Sequence, residues 1–419
     1  MRLNTTLIAA SLSIFSLNAF CSAFQLSEHS ASGLGRAFAG DAAIAENASV
    51  VARNPALMSQ IKQKQLSIVG TYVVPDVSLI GQSAPAYSSA AALDDKSIAP
   101  EAFIPAAYFV MPVNERFTLG FGLFSNFGLA TKFSDEYAAG QIAGETEIVT
   151  VNFNSSLSYK VTDKLDLGLG INYIHAEAKV KRYFGVNPLG LLTATEAVNL
   201  EGSDSAYGWN IGLAYELSEG SRLGLHYRSE TELTFTGDYS NQLPASLGGL
   251  AGNVLPGSLA LELPAMAEFS GTHQIGKEWA LHYSVSWTQW SSFQELEGFV
   301  EGSDTAVFSK EENFSNSFRY ALGADYQLTD RTKLRAGVAY DKTPTDDQHL
   351  SISIPDTNRT WISVGATYLL DSASSVDVGL SVIRGKERSF TETDNIGGQW
   401  SFQSQGNAII FSAQYNHGF

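Results

Sequence analysis

From Leu66 to its last residue the chain alternates. Leu66, Ile68, Tyr72 and Val74 are separated by polar or small residues, and so are Val149, Val151, Phe153, Leu157, Tyr159 and Val161. The pattern returns at Leu165, Leu167, Leu169, Ile171 and Tyr173, and at Trp209, Ile211, Leu213, Tyr215 and Leu217. It is still present at Trp279–Trp287 and Phe318–Leu328. A period of two places the large apolar residues on one face of each strand. The opposite face is small or polar: in the strand from Lys164 it carries Asp166, Gly168, Gly170 and Asn172.

A soluble sandwich alternates in the same way, so the connections must choose between the two. Short turns such as Val161–Lys164, Gly276–Glu278 and Leu328–Arg331 alternate with long polar loops near 76–102, 127–145, 183–205, 237–257, 298–315, 343–357 and 391–400. This spacing predicts an all-β fold, a transmembrane antiparallel β-barrel of about 14 strands with short periplasmic turns and long outer loops. Segments of about ten residues or more suit a tilted membrane crossing. Aromatics at strand ends (Trp209, Tyr215, Trp279, Tyr326, Trp361 and Tyr368) read as interfacial girdles. The chain closes on alternating Ile409, Phe411, Ala413, Tyr415, His417 and Phe419. That ending resembles the signal by which the barrel assembly machinery receives its clients, with Phe419 as the residue read. The expected location is the bacterial outer membrane, with outer-membrane lipid and lipopolysaccharide around the wall.

Composition agrees. Charged residues make up 16% of the chain, against roughly 25% in soluble domains. A net charge of −17 argues against nucleic acid as a partner, since that needs a basic surface. The one cysteine is Cys21, so disulfides and thiolate metal sites are excluded from the rest of the chain. Residues 1–23 read as a signal peptide, with Arg2, the apolar stretch Leu7 to Leu17 and small residues at Cys21-Ser22-Ala23. The apolar stretch is shorter than the roughly 20 residues of a spanning helix. Phe20 before Cys21 disfavours a lipoprotein signal.

Residues 24–64 do not alternate. They are Gly/Ala-rich and carry Asn54-Pro55-Ala56. Placed before a barrel of residues 65–419, such a segment is expected to be a luminal plug, or hatch. Gly33-Leu34-Gly35-Arg36-Ala37-Phe38 lacks both the preceding strand and the third glycine of a dinucleotide loop, so its glycines read as close packing. The seven histidines show no metal-protease spacing, and His273 and His282 fall on opposite strand faces. No enzyme, metal or cofactor is expected.

The strand from Lys164 carries a further signal. Up to Tyr173 its apolar residues are odd-numbered. Beyond it they are Ile174, Ala176, Ala178 and Val180, while His175, Glu177, Lys179 and Lys181 take the odd positions. Strand geometry keeps its faces, so past the bilayer the barrel is polar outside and apolar inside. Arg182 ends that inward row. An apolar wall with a cation at its end suits a hydrocarbon body with an anionic head. Equally, Arg182 pairs with a luminal carboxylate and is structural.

The chain resembles the FadL family of outer-membrane long-chain fatty acid transporters. The resemblance rests on SGLGRAFAGDAAIA, RNPAL, SNFGLATKF, AKVKRYFG, GWNIGLAYEL, YRSE, SISIPD and SVDVGLS. It implies passive uptake through an apolar pocket, with sideways exit where the third strand kinks. By motif, Arg182 and Lys310 would hold a ligand carboxylate and Phe24 would contact the ligand, beside the apolar row of Ile174, Ala178 and Val180. Gly128 would occupy the kink, and Asn54, Pro55 and Ala56 would be the hatch signature near the lateral opening. The loop near 183–205 is shorter than in the family's fatty acid carriers, where this region helps form an outer capture groove. Relatives in the family carry aromatic hydrocarbons, which makes a hydrocarbon channel the alternative. A general porin would need an open lumen, and energised plugged transporters have around 22 strands.

Overall fold

The computed structural model describes residues 23–247 and 249–419. The predicted leader therefore lies outside the described residues apart from Ala23. Twenty strand segments make fourteen crossings, because six crossings are broken in two. In chain order these are β1 (Gln65–Ser83), β2 (Ala102–Pro112), β3 (Phe117–Phe124 and Gly128–Lys132) and β4 (Glu145–Lys160). Then come β5 (Leu165–Tyr183), β6 (Glu196–Ser218), β7 (Ser221–Arg228 and Thr231–Ser240) and β8 (Val254–Leu263 and Met266–Ile275). β9 (Trp279–Thr288 and Glu295–Val300), β10 (Phe308–Glu311 and Ser317–Thr329) and β11 (Thr332–Asp341) follow. The series ends with β12 (Arg359–Leu369), β13 (Ser374–Gly385 and Arg388–Thr393) and β14 (Gln399–Gly418). Neighbours in sequence pair antiparallel, and β14 pairs back to β1 with Gln65 opposite Gly418. The barrel is closed, which removes the unpaired edges that a lipid environment does not tolerate.

The alternation decides the faces. Ile68, Leu169, Ile171, Ile362 and Val364 are exposed on the outer wall, while Asn172, Asn210 and Ser363 are buried inside it. Strands run further than the polar composition of their outer ends suggests. β1 continues to Ser83 and β6 begins at Glu196, beyond the expected loop limits near 76 and 205. In β1 the pattern continues with its chemistry exchanged. Val77 and Leu79 turn inward and Asp76 faces out, the same inversion as in β5. One girdle residue is corrected. Trp361 is fully buried, packed on Phe38 with ring centroids 6.3 Å apart. On β12 the outward positions are even-numbered, so position 361 faces the lumen.

Phe24 to Gln60 is almost entirely buried and folds into short pieces, the helices Ala31–Leu34 and Val50–Arg53 and the 3-10 helix Pro55–Gln60. It is bonded to the wall in many directions. Ala31 N donates to Gln414 Oε1 on β14 (3.0 Å) and Gly40 N to Ser284 Oγ on β9 (2.8 Å). Arg319 on β10 donates to Ala37 O (2.9 Å), and Ser158 on β4 to Ala56 O (2.9 Å). Backbone meets backbone at Gly35 and Gly365, where an added Cβ on Gly35 would lie 2.9 Å from Gly365 Cα. Glu46 receives Arg36 (2.8 Å), Arg335 (2.9 Å) and Lys333 (2.9 Å).

Candidate functional site

The inward row of β5 reads Asn172, Ile174, Ala176, Ala178, Val180, Arg182, and all six are buried. Ile174, Ala178 and Val180 share one apolar cluster with Phe24, Phe127, Trp290, Phe293, Ile352 and Ile354. Phe24 is fully buried, with its ring centroid 4.6 Å from that of Trp290 and 5.4 Å from that of Phe293. The long-loop half of the lumen is thus lined by hydrocarbon, as the inverted pattern predicts.

Arg182 ends this row. Its guanidinium donates to Glu145 O (3.1 Å), Lys181 O (2.8 Å), Thr146 Oγ1 (3.1 Å) and Ser353 Oγ (2.9 Å). It also lies over the Phe308 ring, 5.1 Å from the centroid. All these partners are neutral, and among the described residues Arg182 forms no ion pair. Lys310 differs, because its ammonium is bonded to the buried Glu392. Glu392 accepts in turn from Ile352 N (3.0 Å). Glu312, in the loop that follows Glu311, is buried with Oε2 unpartnered among the described residues. Burial pushes its carboxyl up to about 8; Lys310 and Arg182 oppose the rise and Glu392 adds to it. Arg182, Lys310, Glu392 and Glu312 therefore form one polar end to an apolar chamber.

Sequence reasoning missed Glu312, Glu392, Thr146 and Ser353. Ser353 carried the one signal that was available, since it belongs to the SISIPD segment. That segment folds inward, with Ile352 and Ile354 in the apolar cluster and Ser353 on Arg182.

The break in β3 is the second feature. Its first half pairs with β2 from Thr118 to Leu123 and its second half, from Gly128, pairs with β4 alone. β2 residues 102–106 thus have β1 on one side and no β3 partner on the other. Gly128 is the first residue after the break. In the place of a strand stand Phe24–Leu26. Gly128 N donates to Phe24 O (2.9 Å), and Leu26 N donates to Asn126 O (2.7 Å). An apolar groove of about 150 Å³ opens there on the wall, lined by Ile68, Val69, Pro105, Ala106, Leu123 and Phe124 among others.

Ala56 of the Asn54-Pro55-Ala56 motif shares an apolar cluster with Val69, Ala106 and Phe124, which line that groove. Asn54 Nδ2 donates to Leu213 O (3.0 Å) and Ala42 O (2.6 Å), and Oδ1 accepts from Ala56 N (3.0 Å). The motif rests on inward glycines: a Cβ on Gly168 would meet Ala56 N at 2.3 Å, and one on Gly212 would meet Asn54 Oδ1 at 1.9 Å. Ala56 is tied to Ser158, whereas the break is tied to Thr150, whose Oγ1 donates to Phe127 O (2.6 Å).

Comparison with known proteins agrees with this architecture. Residues 12–419 match the family described as outer membrane protein transport protein (OMPP1/FadL/TodX). The chain is 42% identical to the 47 kDa outer membrane protein of Pasteurella multocida, covering 99% of this chain and 98% of that one. It is 39% identical to a long-chain fatty acid transport protein of Escherichia coli O6:H1, covering 98% of each. Its fold is similar to that of a Pseudomonas aeruginosa FadL homologue (TM-score 0.87, 24% identity, 95% of this chain and 100% of that one). It is also similar to that of the Pseudomonas putida toluene transporter TodX (TM-score 0.71, 16% identity, 96% of this chain and 99% of that one). With a closed fourteen-stranded barrel and a match over nearly its whole length, the chain belongs to the OMPP1/FadL/TodX family of outer membrane transport proteins.

Proposed function

We propose that this protein carries long-chain fatty acids passively across the outer membrane. The observation that carries the reading is Arg182, a buried cation at the end of an apolar row whose hydrogen-bond partners are all neutral. A fatty acid supplies the missing anion and fills the row. Each buried methylene contributes about 0.8 kcal/mol, so a long tail gains on the order of 10 kcal/mol gross. A charge-assisted head contact adds about 1.5–3 kcal/mol. The tail sets affinity and the head sets orientation, with Arg182 and Lys310 holding the carboxylate and Phe24, Ile174, Ala178 and Val180 against the tail.

Phe24–Lys64 acts as the plug that closes the straight path to the periplasm. The ligand leaves sideways at the β3 break, beside Gly128, where the groove between β2 and β3 is apolar. Phe419, exposed at the strand end with its ring packed on His417 (4.7 Å between centroids), is the residue the assembly machinery reads. A channel for neutral hydrocarbons has no use for a buried guanidinium that forms no ion pair among the described residues. Isothermal calorimetry with oleate tests the reading. The Arg182→Ala/Lys310→Ala double variant is expected to bind at least tenfold more weakly. Unchanged affinity, or displacement of oleate by equimolar toluene, would overturn it.

A further inference from the structure

Arg182 ends one side of the β5 row, and the other side also ends in a cation. Asn172, the last inward residue before Ile174, accepts from the Arg228 guanidinium through Oδ1. Arg228, from the YRSE segment, is buried and donates besides to Ala52 O (3.0 Å). Its Nε has no partner among the described residues, and it forms no ion pair among them. Asn210 sits directly opposite Arg228 on the paired strand. Its Oδ1 accepts from Asn154 (2.9 Å) and Asn172 (3.0 Å), which leaves Nδ2 as a second buried donor without an acceptor. Arg228 is thus a buried cation with an unused donor.

A narrow cavity lies against Arg228. His29, Arg53, Asn126, His226, Glu268, Arg319 and Asp341 also line it, and it has about 40 Å³ of room for water, a space of head-group size. Glu268 is occupied by Ser270 (2.6 Å), Ser284 (3.0 Å) and Ala42 N (3.2 Å), and Arg53 pairs with Asp41 (3.3 Å). Burial, and then the Arg53 and Arg228 guanidiniums, hold the His29 imidazole well below its ordinary value, so it stands there neutral.

Phe124 packs against Arg228 and His29. Arg228 lies over its ring, 5.4 Å from the centroid, and His29 meets it edge-on at 5.3 Å. Phe124 also lines the apolar groove between β2 and β3. Ten residues of β5 separate Arg182 from Asn172, roughly 33 Å of strand. A head group held by Arg182 has therefore left it before it reaches Arg228.

We infer that Arg228 forms a second carboxylate-holding site at the inner mouth of the β3 break, where the head group rests while the tail enters the groove. This inference rests on the reading that the ligand is a fatty carboxylate. The site lowers the cost of moving a charge through the apolar half of the lumen, because an unpaired charge there is expensive.

The test uses full-length protein in cells, with uptake of oleate and of uncharged oleyl alcohol measured side by side. Arg228→Gln is expected to slow oleate uptake about tenfold and to leave oleyl alcohol uptake close to that of the parent. Arg228→Lys is expected to restore part of the oleate rate. Unchanged oleate uptake, or an equal loss of both substrates, would overturn the inference. Heat-modified gel mobility distinguishes a misfolded barrel, and Arg228→Lys then provides the second variant, with part of the oleate rate kept. If the parent carries no oleate, the reading of the function fails and not the placement of the exit site.

Discussion

Glu312 ties the proposed head-group site to pH. Its folded carboxyl titrates near 8, well above an ordinary glutamate. Below that it is neutral and can donate to a ligand oxygen. Above it, a second anion stands beside Lys310 and Arg182 and repels the ligand. Oleate affinity is therefore expected to fall as pH rises through about 8, and Glu312→Gln should flatten the profile. Titration calorimetry at pH 6.5 and 9 checks this. The sign for stability is the same: an acid raised by burial favours the folded state fully below its unfolded pKa, and that contribution is lost as pH rises from there to about 8. Arg182→Ala alone should cost roughly tenfold in affinity. It also leaves Ser353 without its donor, so a loss larger than this at unchanged fold would point to the loop rather than the charge.

The elements differ in what replaces a missing partner. β3 is interrupted where its register with β2 ends, and the N-terminal residues Phe24–Leu26 bond to the break instead. Gly128→Val should slow uptake, because it puts a stiff β-branched side chain at the first residue after the break. Normal uptake in cells would count against the break as the exit. Asn54–Ala56 is a packing element, seated on Gly168 and Gly212. Gly212→Val is expected to displace it and to raise the sensitivity of the N-terminal segment to trypsin, and a digestion time course reads this directly. The sequence marks the motif as special but says nothing of which strands it meets, since those glycines lie more than a hundred residues away.

In the whole molecule, one charged network fastens the N-terminal segment to the wall. Glu46 holds Arg36 of its own segment together with Lys333 and Arg335 of β11. Removing one member of a buried ionic group leaves the others uncompensated. Glu46→Gln should lower stability by about 3 kcal/mol, seen as an earlier thermal transition in detergent. In planar bilayers the parent should show no large steady conductance, and Glu46→Gln should show transient openings.

Alternation is written residue by residue, because successive side chains of a strand take opposite faces whatever surrounds them. It therefore determined the barrel, its strand number, the inverted chemistry beyond the bilayer and the inward direction of Arg182. The girdle reading failed at Trp361, where an aromatic near a strand end was given to lipid but the strand's own alternation turns it inward. The acceptors around Arg182, the burial of Glu312, the pairing of Lys310 with Glu392 and the joining of Phe24 to the break were decided only by the tertiary structure. Those contacts bring together residues up to hundreds of positions apart. They exist only once the barrel closes and its loops fold into the lumen, which no local pattern records.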